Sequence, residues 1–253
     1  MSAPTPNRAK DPQSRGLDLP PLFRAITLRE SGDAFAHAQK IAAEEGAGTL
    51  VWVGRFDVAE FAVVLEPDEP LAASRRAIYA GLAALADALA VHAPPEKPLH
   101  YEFPATLMFD HGLVGGGQLA WPAGTKENER PDWLVFGAMV RTHILDALEP
   151  GERAHIADLS EEGFDDMGGG RLAESFARHF MLHMDEWQNH GFASVAKAYL
   201  ERLPAEANVE RTIDGAGDLL TRRKGKGEVQ KKKLLPMIER ALWRDHKTGE
   251  ILS

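Results

Sequence analysis

The chain contains no cysteine among its 253 residues. Disulfides, thiolate metal sites and cysteine nucleophiles are therefore excluded. It also has no stretch approaching the roughly 20 consecutive apolar residues needed to cross a bilayer, and its N-terminus carries no apolar signal core. A soluble, cytoplasmic protein with no membrane partner is expected. No internal repeat is visible, which excludes solenoid and propeller architectures. An excess of positive charge is missing as well, because the formal net charge is −9. That balance argues against a general nucleic-acid binder.

The charge is unevenly spread. Between 222 and 233 lie seven of the 29 basic residues (Arg222, Arg223, Lys224, Lys226, Lys231, Lys232 and Lys233) and one of the 38 acidic residues, Glu228, which leaves −15 for the rest. Such a stretch reads either as a docking surface for an acidic partner or as a solvated linker. The length and a 44% hydrophobic content suit one sizeable core with a small appendage. Residues 1–18 mix Pro, Ser, Asn and charge without apolar periodicity and read as a flexible tail. A main domain is expected over 19–205, followed by a small C-terminal accessory module over 206–253.

Within the main domain, Ser31-Gly32-Asp33 offers capping oxygens to a helix bearing Phe35, Ala38, Ile41 and Ala42, which Gly46 ends. Thr49 to Val53 reads as a buried strand, Gly54-Arg55 as a turn, and Phe61 to Leu65 as the next strand. Pro70 opens a long helix with Ile78, Leu82, Leu85 and Leu89 on one face. Trp133 to Val140 supplies another strand. Gly168-Gly169-Gly170 precedes a helix carrying Phe176, Phe180, Met184 and Trp187, and Gly191 separates it from a last helix through Tyr199. Strands in hairpins with helices between them predict an α+β fold: a mixed, mostly antiparallel sheet with helices packed on one face. Leu234, Leu235, Ile238, Leu242 and Trp243 are expected to dock the C-terminal module.

The stretch Tyr101-Glu102-Phe103-Pro104-Ala105-Thr106 to Leu113-Val114-Gly115-Gly116-Gly117-Gln118 resembles the active-site hairpin of biotin and lipoate protein ligases. Those enzymes carry a Lys-Trp-Pro-Asn-Asp strand and then a Lys-x-x-Gly strand whose lysine is the principal catalytic cation. Ser31-Gly32-Asp33, Gly48-Thr49-Leu50-Val51, Trp133-Leu134-Val135-Phe136-Gly137 and Asp185 to Phe192 resemble further family segments in the same order, over roughly 20 to 203. The resemblance implies biotin, lipoate or an acyl-adenylate as a ligand that is not covalently bound, and an acidic carrier domain as partner. The departures fall on the chemistry. Leu113 stands at the lysine position, and Gly54-Arg55 replaces an arginine-rich loop that would cradle the adenylate phosphate. Losing one preorganised donor typically costs about 3 to 4 kcal/mol of transition-state stabilisation. The absence of cysteine also removes the nucleophile used by some related octanoyl transferases.

Each candidate site residue has a plainer alternative. Gly115, Gly116 and Gly117 either let a ligand lie along the backbone or mark a bulge or crowded crossing. Arg55 is an anion anchor beside Gly54 or a solvated turn residue, and Gln118 borders the same expected pocket. Trp52, Trp121 and Trp133 either wall an apolar pocket, placed between the glycine strand and the Trp52 strand, or fill half-buried strand positions. Lys126 is a substitute cation or a loop residue. His179 and His183 have the spacing of two metal ligands on a helix, but the protease glutamate and a third ligand are missing, so no metal site is expected. The readings left open are an atypical ligase or acyltransferase handling a small carboxylic acid, a non-catalytic module on the same fold that binds a small ligand or a carrier domain, and an interaction scaffold.

Overall fold

The computed structural model describes residues 16–95, 98–145, 155–164, 167–225 and 227–252. The first fifteen residues of the expected N-terminal tail, and Lys226 of the basic stretch, lie outside them. Seven strands form one sheet: β1 (Arg24–Leu28), β2 (Thr49–Val53), β3 (Val58–Leu65), β4 (Leu99–Glu102), β5 (Thr106–Phe109), β6 (Gly112–Ala120) and β7 (Leu134–Arg141), in the spatial order β1-β2-β3-β7-β6-β5-β4. Only the β1–β2 pair is parallel. The mixed, mostly antiparallel α+β sheet expected from the hairpin order is therefore present.

Helices cover both faces, where the sequence pattern suggested one. On the first face lie α3 (Ala77–Ala90), α4 (Gly169–His190) and α5 (Phe192–Leu200). Their shared core includes Leu82, Leu85, Phe176 and Phe180 against Phe61 and Phe136 of the sheet. Phe176 stacks on Phe136, with ring centroids 5.6 Å apart. The aromatic stripe of α4 is thus core. On the opposite face α1 (Ala34–Glu45) sets Ala34, Ala38 and Ala42 on Val51, Val53, Ala62 and Val64. Burial on both sides makes β2 and β3 continuous apolar runs, and such runs carry no alternation from which the second helical layer is readable. Asp33 caps α1 as expected, accepting from the Ala36 N–H at 2.7 Å.

The helix opened by Pro70 is two pieces, α2 (Leu71–Ser74) and α3. At the break Arg75 reaches Glu127 and Arg76 reaches Glu69, both at 2.6 Å. These pairs tie the junction to neighbouring loops. The C-terminal module holds a three-stranded antiparallel sheet, β8 (Val209–Ile213), β9 (Leu219–Arg223) and β10 (Val229–Lys232), and a short α6 (Leu235–Ile238). Tyr79 of α3 donates its hydroxyl to Gly217 O at 2.5 Å, and Leu234, Ile238 and Trp243 are buried. Leu242 is 59% exposed, so it takes no part in the docking expected of it. No helix among the described residues is long and apolar enough to cross a membrane.

Candidate functional site

Strand alternation separates the predicted site residues into two groups. On the α3–α4 face, Trp52 is 6% exposed and its indole N–H donates to Thr27 Oγ1 at 2.9 Å. A Cβ on Gly117 would point the same way, 3.0 Å from Leu82. Trp133 packs on the α1 face, and Trp121 beside Leu71 and Trp187. The three tryptophans therefore do not converge on one pocket. Gly116 and Gln118 project to the α1 face, and there they meet the last residues of the chain. A Cβ on Gly116 would lie 2.5 Å from the Trp243 ring and 2.4 Å from Ala105 O. The Trp243 N–H donates to Gly117 O at 3.0 Å. Arg244 donates to Gln118 Oε1 at 2.6 Å. The absence of a side chain at Gly116 is thus used by this protein's own tryptophan, so a valine there would collide with the fold as well as with any ligand.

Beside Trp243 opens a cleft of about 540 Å³ between the β1–α1 loop (Glu30 to Asp33), the β2–β3 turn (Arg55 to Asp57), Glu60, Met139 and the tail residues Arg244, Thr248, Gly249 and Glu250. Arg55 is held there by Asp57 at 2.8 Å and Glu250 at 3.1 Å, with Glu60 at 3.8 Å. Hydrogen bonding to Asp57 is the main reason its pKa rises further, and the same contact holds Asp57 below the ordinary carboxylate range. Glu60 is 6% exposed, and its Oε1 accepts the Ala34 N–H at 2.7 Å. A helix N-terminus attracts anions. Here that position is filled by the chain's own carboxylate.

Burial pushes the Glu60 carboxyl up from its ordinary 4.5, with the Ala34 N–H opposing the rise. A carboxyl raised in the folded state adds stability that is full below about pH 4.5, the unfolded value, and is lost as pH climbs through the folded pKa. Glu60→Gln is therefore expected to gain melting temperature relative to the parent across that window and to hold a constant difference above it. Thermal melts of both proteins from pH 4 to pH 8 check this, and a difference that shrinks with rising pH would contradict it.

At the position resembling the ligase lysine, the Leu113 side chain packs with Trp243, Val58, Met139 and Ile251. The nearby cation that sequence reasoning missed is Arg141, which ends β7. It is 8% exposed and donates to the carbonyls of Leu113 at 3.0 Å and Leu252 at 2.8 Å. Its burial lowers its pKa. Glu60 and Arg141 each carried a readable signal, being the charged residue in an otherwise apolar strand. Arg244 and Glu250 carried none, since only folding brings the tail to the sheet.

The other candidates lie apart. Lys126 pairs with Glu129 at 2.9 Å on an exposed loop. His183 hydrogen-bonds Asp87 at 2.7 Å, and Arg202 pairs with the same carboxylate. His179 bonds Ser175 O at 2.8 Å. Among the described residues no group of three or more His, Cys, Asp or Glu is arranged to hold a metal. In the basic stretch Arg223, Lys224 and Lys231 pair with Glu206, Glu210 and Asp214 of the same module. Arg222, Lys232 and Lys233 are exposed.

The model of the biotin/lipoate A/B protein ligase family matches residues 19–201. The chain belongs to that family. A biotin protein ligase-like protein of unknown function from a Silicibacter species has a similar crystal structure, with a TM-score of 0.73 at 23% identity over 88% of this chain and 99% of that one. A biotin protein ligase variant from Aquifex aeolicus, in complex with biotin, gives 0.61 at 12% identity over 84% and 99%. The Leishmania major ligase with biotin gives 0.52 at 15% over 85% and 99%. No curated protein sequence matches the chain. At these identities the structural likenesses establish the fold, and the family match establishes the kinship.

Proposed function

We infer that this member of the ligase family binds a small acyl carboxylic acid without activating it as an adenylate. One observation carries the reading: the features of the α1 face that would attract an anion are already engaged within the chain. Arg55 is bound by Asp57 and Glu250, the α1 N-terminus by Glu60, and Arg141 by backbone carbonyls. Adenylation needs several donors aimed at phosphate charge as it develops. An uncommitted set of that kind is missing among the described residues of the cleft. What supports an acyl ligand is the patch of Gly116, Val58, Leu113 and Met139 beneath Trp243, with Gln118, Arg55 and Arg141 as polar groups near it. The nucleophile-dependent acyltransferase reading finds less support, since the chain has no cysteine.

Thermal denaturation with biotin, lipoate, octanoate and ATP tests this. A ligand at 100 times its dissociation constant stabilises by about 2.7 kcal/mol, which for a domain of this size raises the melting temperature by roughly 5 to 10 °C. At least one of the acids is expected to give such a shift, and ATP none. A shift with ATP and with no acid would refute the reading.

A further inference from the structure

Residues 243–252 form a hairpin laid on the α1 face. The Arg244–Ile251 bridge closes it, the Leu252 N–H donates to Trp243 O at 3.0 Å, and the Asp245 N–H donates to Glu250 O at 2.9 Å. It belongs to a small apolar cluster of Val58, Met139, Trp243 and Ile251, separate from the main core. The rest of the C-terminal module is fastened elsewhere, by Tyr79 to Gly217 and by Leu219, Leu234 and Ile238, which join the main core. The hairpin can therefore leave the sheet while the module stays docked. Trp243 and Ile251 are buried, but in this small separate cluster, and His246, Lys247 and Thr248 between them are exposed, so the segment can open below the global unfolding free energy.

Apart from the Trp243 N–H bond to Gly117 O, the attachments of this hairpin to the sheet side use groups that a carboxylate ligand would want. Glu250 binds Arg55, the Leu252 carbonyl accepts from Arg141, Arg244 binds Gln118, and Trp243 covers Gly116. When the hairpin lifts, one carboxylate leaves the cleft, one carboxamide and a glycine floor are uncovered, and two guanidiniums each lose a partner, Arg55 keeping Asp57 and Arg141 keeping Leu113 O. We propose that the segment from Trp243 to Leu252 is a displaceable strap that occupies the acyl-ligand groove, so that binding of a small carboxylate and closure of the strap exclude one another. This rests on the function inferred above and says which part of the chain competes with the ligand. A ligand that binds only the open form has its affinity reduced by the fraction of molecules that are open.

The strap is tested in the full chain by two measurements. In the double variant Arg244→Gln, Glu250→Gln the tail keeps Trp243 but loses its ionic attachments, and calorimetric titration is expected to show octanoate or biotin binding at least tenfold tighter than to the parent. Hydrogen exchange of the parent is expected to show the Leu252 and Asp245 amides exchanging at least a hundredfold faster than amides of β3 and β7, and faster still when octanoate is added. Strap amides protected as fully as those of β7, or unchanged affinity in the double variant, would overturn the proposal. The two readings fail separately. Binding to the parent with the strap amides unmoved removes the strap and leaves the function. Fast strap exchange with no acid bound by either protein removes the function and leaves the strap as a mobile cover.

Discussion

Gly115→Ala is expected to lower the melting temperature by roughly 10 °C, the largest stability effect of any single methyl added to this sheet. Gly115 sits in the central β6 strand with φ at 153°, and a Cβ there would stand 2.0 Å from Met139 O on the paired β7 strand. The clash is with backbone across a hydrogen-bonded ladder. Neither strand can retreat without breaking contacts to its other neighbour, β5 or β3. Backbone strain of about 1 to 3 kcal/mol adds to an overpacking cost of similar size. The sum of about 4 kcal/mol converts to that shift at roughly 2 to 4 °C per kcal/mol for a chain of this size. Gly215→Ala is the control, because a Cβ at Gly215 meets nothing within 4 Å. Its melting temperature should stay within about 2 °C of the parent, in keeping with a surface change. Equal melting temperatures for the two variants would show that β6 and β7 are not packed as described.

The same glycine shows how much was legible in the sequence. Three consecutive glycines in an apolar strand announced a crowded backbone, and a register shift beside Leu107 accompanies them. Whether a ligand or the protein itself approaches was not legible, because Trp243 lies 127 positions from Gly116. Local signals fared well: β2 falls on Thr49–Val53 as read, α1 is capped by Asp33, and α4 ends at Gly191. The β1 strand escaped notice because its half-exposed Arg-Ala-Ile-Thr-Leu sequence is too short to assert a period. Of the expected site residues, Arg55 borders the cleft and Gln118 reaches it through Arg244, whereas Trp52 and Gly117 face the opposite layer. Strand alternation decides such assignments, and a strand buried on both faces hides its phase.

The second large effect concerns catalysis. In an adenylating enzyme the carboxylate and the phosphate must be brought together, and the charge that develops must meet fixed donors. Leu113 offers none, and its side chain lies under Trp243 beside Ile251. Arg55 is the cation of the β2–β3 turn and is shared among three carboxylates, Asp57, Glu60 and Glu250. At about 3 to 4 kcal/mol for each lost donor, two missing donors lower the rate by roughly five orders of magnitude. Strap release frees Arg55 from Glu250 but leaves Asp57 and Glu60 beside it. Opening the groove is therefore expected to improve binding without restoring turnover.

Pyrophosphate exchange into ATP, measured on the full chain with biotin, lipoate and octanoate in turn, tests this directly. Enzymes commonly turn over at about 1 to 1,000 per second, and exchange here is expected to stay several orders of magnitude below that range with every acid, in the parent and in the Arg244→Gln, Glu250→Gln variant alike. Acid-dependent exchange at about 1 per second or faster in either protein would contradict the account, because it would mean that other residues assemble the phosphate-binding charge this cleft has committed to its own carboxylates.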